Sequence, residues 1–552
     1  MEKVWLKRYP PAVPADINPA QYRSLVEIFE RSCCQFGRRQ AFACMGRSLT
    51  YNELEQKSRA FAAYLQQDLK LAKGERVALL LPNLLQYPVA LFGVLRAGLA
   101  AVNIDPSSTS SELRHQLQDS GAKAVVILAN FAHLLAETIG ETAVETAIVT
   151  EIGDLLAYWK AKVVNLALKH LKKTVPAYAL PKTRIVAFQS LVTTAADRSL
   201  ATDKVGGDDL ALLHYTKGAT GAPKGVMLSH RNLVANVEQC LAFLGPKLGE
   251  SQDEVIVTAL PLHQLFCLTV NCFVGVRWGG LNILLANPYD IAGLVADLRH
   301  ARLTVITGNE RLFEVLTHHP KFSQIDFSRL KVVIGSGVVR PTVAQRWQAL
   351  TGVPIWASYG LTEAGPLVCL NPLDGAEASS VGLPLPSTTL ELRSATGVTV
   401  EPGERGELSV CGPQVMRGYW RQPVETARVL HDNWLLTGDF ATIDANGLVR
   451  IVGRQQDMIR VCGHLVFPDE IERAMGDCEG VLEVACVGVP DSKTGEAIKI
   501  AIVRKPGAEL TGEMVLAHCY QRLTAQQMPR HIEFRDSLPK SPAGDVLRRA
   551  LR

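Results

Sequence analysis

Short runs of continuously apolar residues alternate with longer helix-like stretches through the first two thirds of the chain. The runs include Arg76–Leu81, Ala100–Ile104, Ala124–Leu128 and Leu303–Thr307, and Leu84–Ala97 is one of the helix-like stretches. Strands that are apolar at almost every position are typical of parallel sheets covered by helices on both faces. This part of the chain is therefore predicted to be α/β.

Beyond the α/β part the pattern changes. Leu390–Ser394 and Glu407–Gly412 flank a turn-rich segment, which predicts an antiparallel β unit. A fresh α+β pattern begins after Gly453 and continues to the end of the chain. We therefore expect a large N-terminal domain, residues 1–453, and a small C-terminal domain, residues 454–552.

Composition narrows the class of protein. At 552 residues the chain is too long for one hydrophobic core, and its 47% hydrophobic and 20% charged residues are typical of a soluble globular protein. A net charge of +4 is too weakly basic to indicate a nucleic-acid partner. The twelve cysteines show no C-x-x-C spacing, so we expect no zinc or redox site and a reducing compartment. The N-terminus lacks the apolar core of a secretory signal, which predicts a cytoplasmic protein.

The segment Trp159–Lys173 qualifies that expectation. Its pattern places Val164, Leu168 and Leu171 on one helical face, with five lysines around them. Basic amphipathic helices with an aromatic flank can lie on anionic membrane surfaces, so peripheral contact with the inner face of the membrane is one interpretation. An ordinary surface helix with solvated lysines is the other.

The strongest chemical signal is the segment Tyr215–Gly225, YTKGATGAPKG, which follows a strand-like run. Its glycines allow backbone N–H groups to approach phosphate oxygens, its hydroxyls donate further hydrogen bonds, and Lys224 offsets negative charge. A phosphate-binding loop is predicted, and a flexible glycine-rich surface loop is the alternative. The predicted phosphate-contacting residues are Thr216, Lys217, Gly218, Ala219, Thr220, Gly221, Lys224 and Gly225.

Two further segments carry polar residues beside strand-like runs. Ser358–Glu363, SYGLTE, combines an aromatic ring that can stack on a purine, a hydroxyl that can bind a phosphate and a carboxylate that can hold Mg²⁺. Leu436–Asp439 ends in an aspartate suited to a ribose diol, and Arg454 suits a phosphate or ribose oxygen. Each of these signals is weak alone.

Together the segments resemble the adenylate-forming superfamily of acyl-CoA synthetases, adenylation domains and luciferases, in that family's order and at comparable spacing. The likeness covers nearly the whole chain and is greatest to bacterial long-chain fatty acid–CoA ligases, whose pattern is similar to Leu81–Gly98, Gly418–Pro423 and the closing LPKSPAG. The resemblance implies two α/β sheet subdomains and a small β-barrel in the N-terminal domain, followed by a small mobile α+β lid.

The resemblance also implies roles for single residues. The glycine-rich loop would hold the phosphates of ATP, Thr362 would contact phosphate, and Glu363 would ligate Mg²⁺. Tyr359 would lie against adenine, and Asp439 and Arg454 would bind the ribose. The residues implied to contact nucleotide or CoA outside the loop are Tyr359, Gly360, Thr362, Glu363, Asp439, Arg454 and Gly463.

The implied reaction has two halves. A fatty-acid carboxylate attacks the α-phosphate of ATP to give acyl-AMP and pyrophosphate. The C-terminal domain then rotates about a hinge at Gln456, and the thiol of CoA displaces AMP on the face that carries Gly463. Such chemistry needs positioning and charge stabilisation and no protein nucleophile.

Four positions depart from the family's pattern. Asp545 stands where the C-terminal P-K-[ST]-x-x-G-K motif has its final lysine, so the charge there is reversed. In the loop, Ala219 replaces a hydroxyl residue and Lys217 replaces a small one. Gln264 stands where a substrate-gate histidine is expected, beside His263. Losing an electrostatic contact of the kind affected by Asp545 costs on the order of 100-fold in rate.

These departures leave three alternatives open. One is an active ATP-dependent ligase for medium- or long-chain fatty acids and CoA. Another is a degenerate paralogue that binds acyl-adenylate or acyl-CoA, or runs only the thioester half-reaction. The last is acyl transfer to a carrier protein instead of CoA. The sequence predicts no particular acyl chain length or oligomeric state.

Overall fold

The computed structural model describes residues 3–171, 174–180, 183–194, 200, 205–216, 223–249, 253–287, 290–375, 377, 379–394, 396–476, 478–540 and 546–552. Their strands form four sheets, two of them mainly parallel, which confirms the predicted α/β architecture. Within these ranges there is no helix of the length and apolarity needed to cross a membrane.

The first sheet has seven strands, all parallel except one at its edge. Two of its central strands, Ala100–Asn103 and Ala124–Leu128, are buried at every position, which is why they are continuous apolar runs in the sequence. In spatial order the strands are Arg184–Ala187, Thr146–Thr150, Ala124–Leu128, Arg76–Leu80, Ala100–Asn103, Leu210–Tyr215 and Gly225–Ser229.

The second sheet has nine strands, with parallel strands at the centre and antiparallel strands at both edges. Ligand sites in such sheets lie beyond the carboxyl ends of the parallel strands. In spatial order the strands are Leu383–Pro384, Leu367–Leu370, Trp356–Gly360, Val332–Ser336, Val305–Gly308, Val255–Thr258, Leu281–Leu284, Gln40–Cys44 and Arg47–Thr50.

Helices cover both sheets. The helix Gln86–Arg96 is buried at every position and packs on Tyr51–Ala63, whose N-terminus is closed by a capping box at Thr50. The α-helices that precede the third sheet are Leu25–Phe36, Tyr51–Ala63, Gln86–Arg96, Ser110–Ser120, Ala132–Thr138, Tyr158–Leu166, Phe188–Thr194, His230–Leu248, Leu265–Cys267, Val274–Trp278, Ile291–Leu298, Glu310–His318 and Pro341–Thr351.

The third sheet is the antiparallel unit predicted beyond the α/β part. Within the described residues its edge strands do not pair with each other, so the sheet is open where the resemblance implies a small barrel. Its strands are Thr389–Arg393, Arg405–Cys411, Leu430–His431, Trp434–Ile443 and Val449–Arg454, and the helix Pro423–Val429 lies between the second and third of them along the chain.

The fourth sheet lies wholly within the C-terminal region and has its own hydrophobic core. The helices Pro468–Gly476 and Gly512–Tyr520 accompany it. A short 3₁₀ turn, Gln455–Asp457, separates it from the third sheet, and the boundary at residue 453 stays a prediction. The strands are Ile459–Val461, His464–Val466, Val481–Asp491, Gly495–Arg504 and His531–Arg535.

The amphipathic segment is helical, but its faces differ from the predicted ones. An α-helix, Tyr158–Leu166, continues as a π-helical turn, Ala167–Leu171, and Lys172 and Lys173 lie outside the described residues. Val164 and Leu168 are half-buried, whereas Leu171 is 83% exposed because the wider turn shifts the register. The apolar side chains that face outward are Trp159, Val163, Leu166 and Leu171.

Candidate active site

The stem of the glycine-rich loop is formed by two adjacent antiparallel strands. Tyr215 ends one strand, Gly225 begins the next, and the two residues are paired in register. Thr216 donates its backbone N–H to the carbonyl of Lys224 at 3.0 Å, which closes the stem. Five of the predicted phosphate-contacting residues lie outside the described part of the chain: Lys217, Gly218, Ala219, Thr220 and Gly221.

Three contacts fix the stem against neighbouring elements. The Nε2 of His115 lies 3.0 Å from the carbonyl oxygen of Pro223, and the Tyr215 hydroxyl donates to Asp119 Oδ2 at 2.7 Å. The backbone N–H of Trp420 donates to the carbonyl of Gly225 at 2.7 Å. The end of the loop that carries Lys224 is therefore held by the first sheet, by the helix Ser110–Ser120 and by the segment before the helix Pro423–Val429.

Lys224 lies in a network of charged and aromatic groups. Its Nζ is 2.5 Å from Glu425 Oε2 and 4.9 Å from the centre of the Tyr419 ring. The hydroxyl of Tyr419 donates to Glu363 Oε1 at 2.9 Å. One aromatic side chain thus connects the lysine of the loop to the carboxylate of the second segment.

The second segment, Ser358–Glu363, includes the last three residues of the strand Trp356–Gly360 and continues past its carboxyl end. A Cβ at Gly360 would lie 2.2 Å from the carbonyl oxygen of Pro366, so only glycine permits this close approach of the backbone. Thr362 and Glu363 follow in a 3₁₀ turn. Burial raises the pKa of the Glu363 carboxyl, against the opposing effect of the hydrogen bond from Tyr419.

The third segment brings Asp439 beside Tyr359. The Tyr359 hydroxyl donates to Asp439 Oδ2 at 2.6 Å, and burial raises the pKa of both groups. Asp439 and Arg454 are paired on neighbouring strands, and Arg454 Nε lies 3.5 Å from Asp439 Oδ1. The guanidinium is largely exposed and can reach a ligand beside the carboxylate.

The three segments therefore converge. Tyr419 contacts both Lys224, at 4.9 Å from its ring centre, and Glu363, at 2.9 Å from its hydroxyl. Tyr359, which precedes Glu363 by four residues, donates to Asp439 at 2.6 Å. The opposing effects of the Lys224 and Asp439 charges on the pKa of Glu363 agree with this proximity. A cation, a hydroxyl-bearing aromatic and two carboxylates share one region between the two large sheets and the third sheet. Such a set can hold a polyphosphate, a purine and a ribose diol.

A magnesium ion fits the donor atoms of this region. The carboxylate of Glu363 and the hydroxyl of Thr362 are hard oxygen donors, which Mg²⁺ prefers. The described residues contain no group of three or more His, Cys, Asp or Glu side chains that could enclose a metal ion. Mg²⁺ usually takes one or two carboxylates together with the phosphates of a substrate, and Glu363 offers one such carboxylate.

Gly463 is not joined to this region by any contact that the described residues show. It lies in the turn between two strands of the fourth sheet with a positive φ of 81°, and a Cβ would meet nothing within 4 Å. The C-terminal region is nevertheless attached close by. Arg405 of the third sheet and Glu470 of the helix Pro468–Gly476 form an ion pair at 2.6 Å.

Of the four positions that depart from the family's pattern, only Gln264 lies within the described residues. His263 Nε2 lies 3.6 Å from Asp105 Oδ1, so the displaced histidine is directed towards this carboxylate. Gln264 precedes the short helix Leu265–Cys267 and is half-buried. Asp545 lies outside the described residues, and Lys540 of the same motif pairs with Glu483 at 2.5 Å.

Sequence reasoning missed four residues that hold the site together. His115 and Asp119 fix the loop stem, and Tyr419 and Glu425 contact Glu363 and Lys224. The signal for Tyr419 was present, because GYWRQP contributes to the family likeness. No local pattern marks Glu425, which lies 201 residues from its partner along the chain.

Comparison with protein families identifies sequence models that match most of the chain. A sequence model described as AMP-binding enzyme matches residues 29–420, and one described as AMP-binding enzyme C-terminal domain matches residues 470–544. The long-chain-fatty-acid–CoA ligase of Salmonella typhimurium strain LT2 is 48% identical over 554 residues, 100% of this chain and 98% of the relative. The enzyme of the same name from Bacillus subtilis strain 168 is 34% identical over 555 residues, with the same coverage.

Solved structures show the same fold. ATP-bound MatB from Rhodopseudomonas palustris is 26% identical, with a TM-score of 0.80 over 96% of this chain and 98% of that one. The anthranilate CoA ligase AuaEII in complex with anthranoyl-AMP has a TM-score of 0.83 over 97% and 98% of the two chains. At 22% identity, the second likeness concerns the fold alone.

Proposed function

The chain belongs to the family of AMP-binding enzymes, and from that membership we propose that it is an AMP-forming long-chain fatty acid–CoA ligase. It activates a medium- or long-chain fatty acid with ATP and transfers the acyl group to CoA, giving acyl-CoA, AMP and pyrophosphate. The observation that carries this proposal is the convergence of Lys224, Glu363 and Asp439, which are far apart in the sequence and are linked in space through Tyr419 and Tyr359. The named relatives favour the complete reaction over the degenerate paralogue and over transfer to a carrier protein.

The nucleotide lies across the three segments. Lys224 and the hydroxyls of Thr216 and Thr362 bind the phosphates. Tyr359 lies against adenine while its hydroxyl holds Asp439 in place for the ribose diol. These interactions keep the α-phosphate in line with the fatty-acid carboxylate and stabilise the charge that develops during the attack.

Glu363 and Thr362 would hold Mg²⁺, and the ion would supply charge neutralisation for the phosphate oxygens. Tyr419 orients the Glu363 carboxylate through its hydroxyl, and Met416 donates its backbone N–H to the Glu363 carbonyl at 2.8 Å. The Tyr419 contact uses Oε1 and the Met416 contact uses the backbone carbonyl, so neither of them occupies Oε2.

The region 454–552 acts as a lid on the domain 1–453, with Gln456 at the pivot. Its rotation brings the face with Gly463 towards the acyl-adenylate for the attack of CoA. Arg548 supports the hinge, since it contacts Asp457 at 3.3 Å beside the helix that begins at Pro468. The ion pair between Arg405 of the third sheet and Glu470 of the lid must break when the lid rotates.

The test is a product analysis with ATP, CoA and a series of straight-chain fatty acids. We expect AMP, pyrophosphate and acyl-CoA in equal amounts, with a preference for the longer acids. With hydroxylamine in place of CoA, acyl-hydroxamate should form. ATP binding without any of these products would favour the degenerate paralogue. Acyl transfer to a carrier protein but not to CoA would favour the carrier-protein alternative.

We also propose that the segment Trp159–Leu171 makes peripheral contact with an anionic membrane surface. Its outward side chains are Trp159, Val163, Leu166 and Leu171, each at least 60% exposed. The segment contains lysines and no acidic residue. Apolar side chains beside lysines are suited to the headgroup region of anionic lipids.

Replacing Trp159, Val163 and Leu166 together by serine tests this contact. We expect co-sedimentation with phosphatidylglycerol vesicles to weaken at least about 10-fold, because each apolar side chain contributes roughly 1.5–3 kcal/mol when fully buried. Activity on fatty acid in solution should be unchanged. The matched control is Val398→Ser, which removes an equally exposed valine elsewhere. Equal sedimentation of the triple variant and wild type would rule the contact out.

A further inference from the structure

Lys224 forms an ion pair with a carboxylate of the chain itself. Its ammonium group lies 2.5 Å from Glu425 Oε2, and both side chains are about one third exposed. The hydrogen bond from Lys224 lowers the pKa of the Glu425 carboxyl. The other oxygen of Glu425 accepts from Arg428 at 2.5 Å, so the carboxylate is held from two sides.

The position of Glu425 relative to the loop is fixed by the backbone. Trp420 donates to the carbonyl of Gly225, the residue after Lys224, and Met227 donates to the carbonyl of Gly418 at 3.0 Å. The helix that carries Glu425 is fastened at its start, because Thr426 accepts the N–H of Tyr419 at 2.9 Å. Glu425 therefore lies beside Lys224 on a segment whose backbone is held by hydrogen bonds.

A carboxylate and a polyphosphate compete for the same ammonium group. Lysine is a compact charge with three donors, and it binds the β- and γ-phosphates of nucleotides as a point charge. If both anions stayed beside Lys224, the two like charges would repel each other across a few ångströms. Binding of the phosphates therefore requires that Glu425 give up the lysine.

We propose that Glu425 is a placeholder for the phosphate chain, which neutralises Lys224 in the nucleotide-free enzyme and takes it back when pyrophosphate leaves. The inference rests on the proposed function, since it takes Lys224 to be a phosphate ligand. Glu425 is a positioning residue: it acts on the substrate only through Lys224. It keeps the affinity for ATP and pyrophosphate moderate and assists release of the product.

The test is equilibrium binding to the full-length chain of ATP, pyrophosphate and AMP, with Mg²⁺ present. In Glu425→Gln we expect ATP and pyrophosphate to bind about 5-fold more tightly, the size of effect expected from one partly exposed ion pair. AMP should bind as in wild type, because it lacks the β- and γ-phosphates. In a Lys224→Ala background the same substitution should change none of the three affinities.

Glu145→Gln is the matched control, since it removes the partner of Lys123 at 2.8 Å and changes the net charge equally. Three results would overturn the placeholder: unchanged affinities, a shift that includes AMP, or a shift that persists without Lys224. In those cases wild type still binds ATP, and the proposed function stands. Failure of wild type to bind either ATP or AMP would overturn the proposed function together with this inference.

Discussion

The Glu363→Gln variant is expected to form acyl-CoA about 100- to 1,000-fold more slowly than wild type, the loss that follows removal of one preorganised electrostatic contact. Glutamine keeps the shape of the side chain and can still accept a hydrogen bond from Tyr419. It removes the negative charge that we propose holds Mg²⁺ beside the phosphates. The loss should therefore lie in the adenylation step and not in the fold.

Two readouts separate this effect from general damage. Pyrophosphate release should fall with the overall rate, and the variant should need a higher Mg²⁺ concentration to reach half of its own maximal rate. The control is Glu238→Gln, which neutralises another buried carboxyl whose pKa burial raises and whose ion-pair partner, Arg277, belongs to none of the three segments. We expect each folded molecule of that control to be fully active. A Glu363→Gln rate within about 3-fold of wild type would contradict the proposed role, since one electrostatic contact is worth far more.

The Asp545→Lys variant is expected to adenylate fatty acid faster, by on the order of 100-fold. The resemblance places a lysine at this position, where it contacts the acyl carboxylate and phosphate oxygens. Aspartate adds a negative charge where negative charge accumulates, and lysine would reverse the sign. Lys540 does not substitute for the missing lysine, because the motif that the resemblance implies has a lysine at this position as well as at position 545.

Pyrophosphate exchange into ATP with fatty acid present measures this step alone. The matched control is Asp536→Lys, which makes the same change of charge at an exposed position of the C-terminal region. We expect that control to exchange at the wild-type rate. An exchange rate for Asp545→Lys that is unchanged or lower would show that the aspartate is not a defect in adenylation.

The strands could be predicted because a strand buried on both faces has apolar side chains at almost every position. Ala124–Leu128 was predicted residue for residue, and the run Arg76–Leu81 differs from the observed strand by one position. The run Leu303–Thr307 begins two residues before its strand, Val305–Gly308, since Leu303 is buried in the approach to the sheet. Apolar character alone does not distinguish a strand from the buried residues that lead into it.

The orientation of the amphipathic segment could not be predicted from an ideal helical period. The sequence places Leu171 with Val164 and Leu168, but a π-helical turn rotates the end of the helix. Asn165 also shows which face is inward, because its Oδ1 accepts the backbone N–H of Gly153 at 2.8 Å. Neither the π turn nor this contact between distant residues has a local signature.

The motifs of the candidate site were predictable as chemistry but not as an arrangement. The residues Lys224, Glu363 and Asp439 have the types that phosphates, Mg²⁺ and ribose require. Their linkage through Tyr419 and Tyr359 depends on two sheets and a third antiparallel unit meeting in space. No spacing in the sequence records which hydroxyl reaches which carboxylate.

A crystal structure of the full chain with ATP and Mg²⁺ tests most directly whether three distant segments bind a single nucleotide. We predict one ATP whose phosphate oxygens lie within about 3 Å of Lys224 Nζ, whose ribose hydroxyls contact Asp439 and whose adenine packs on Tyr359. Glu363 should lie on the side of the phosphates that carries Mg²⁺. A nucleotide that contacts only one of these segments, or binds elsewhere on the chain, would contradict the assignment of the site and of the activity.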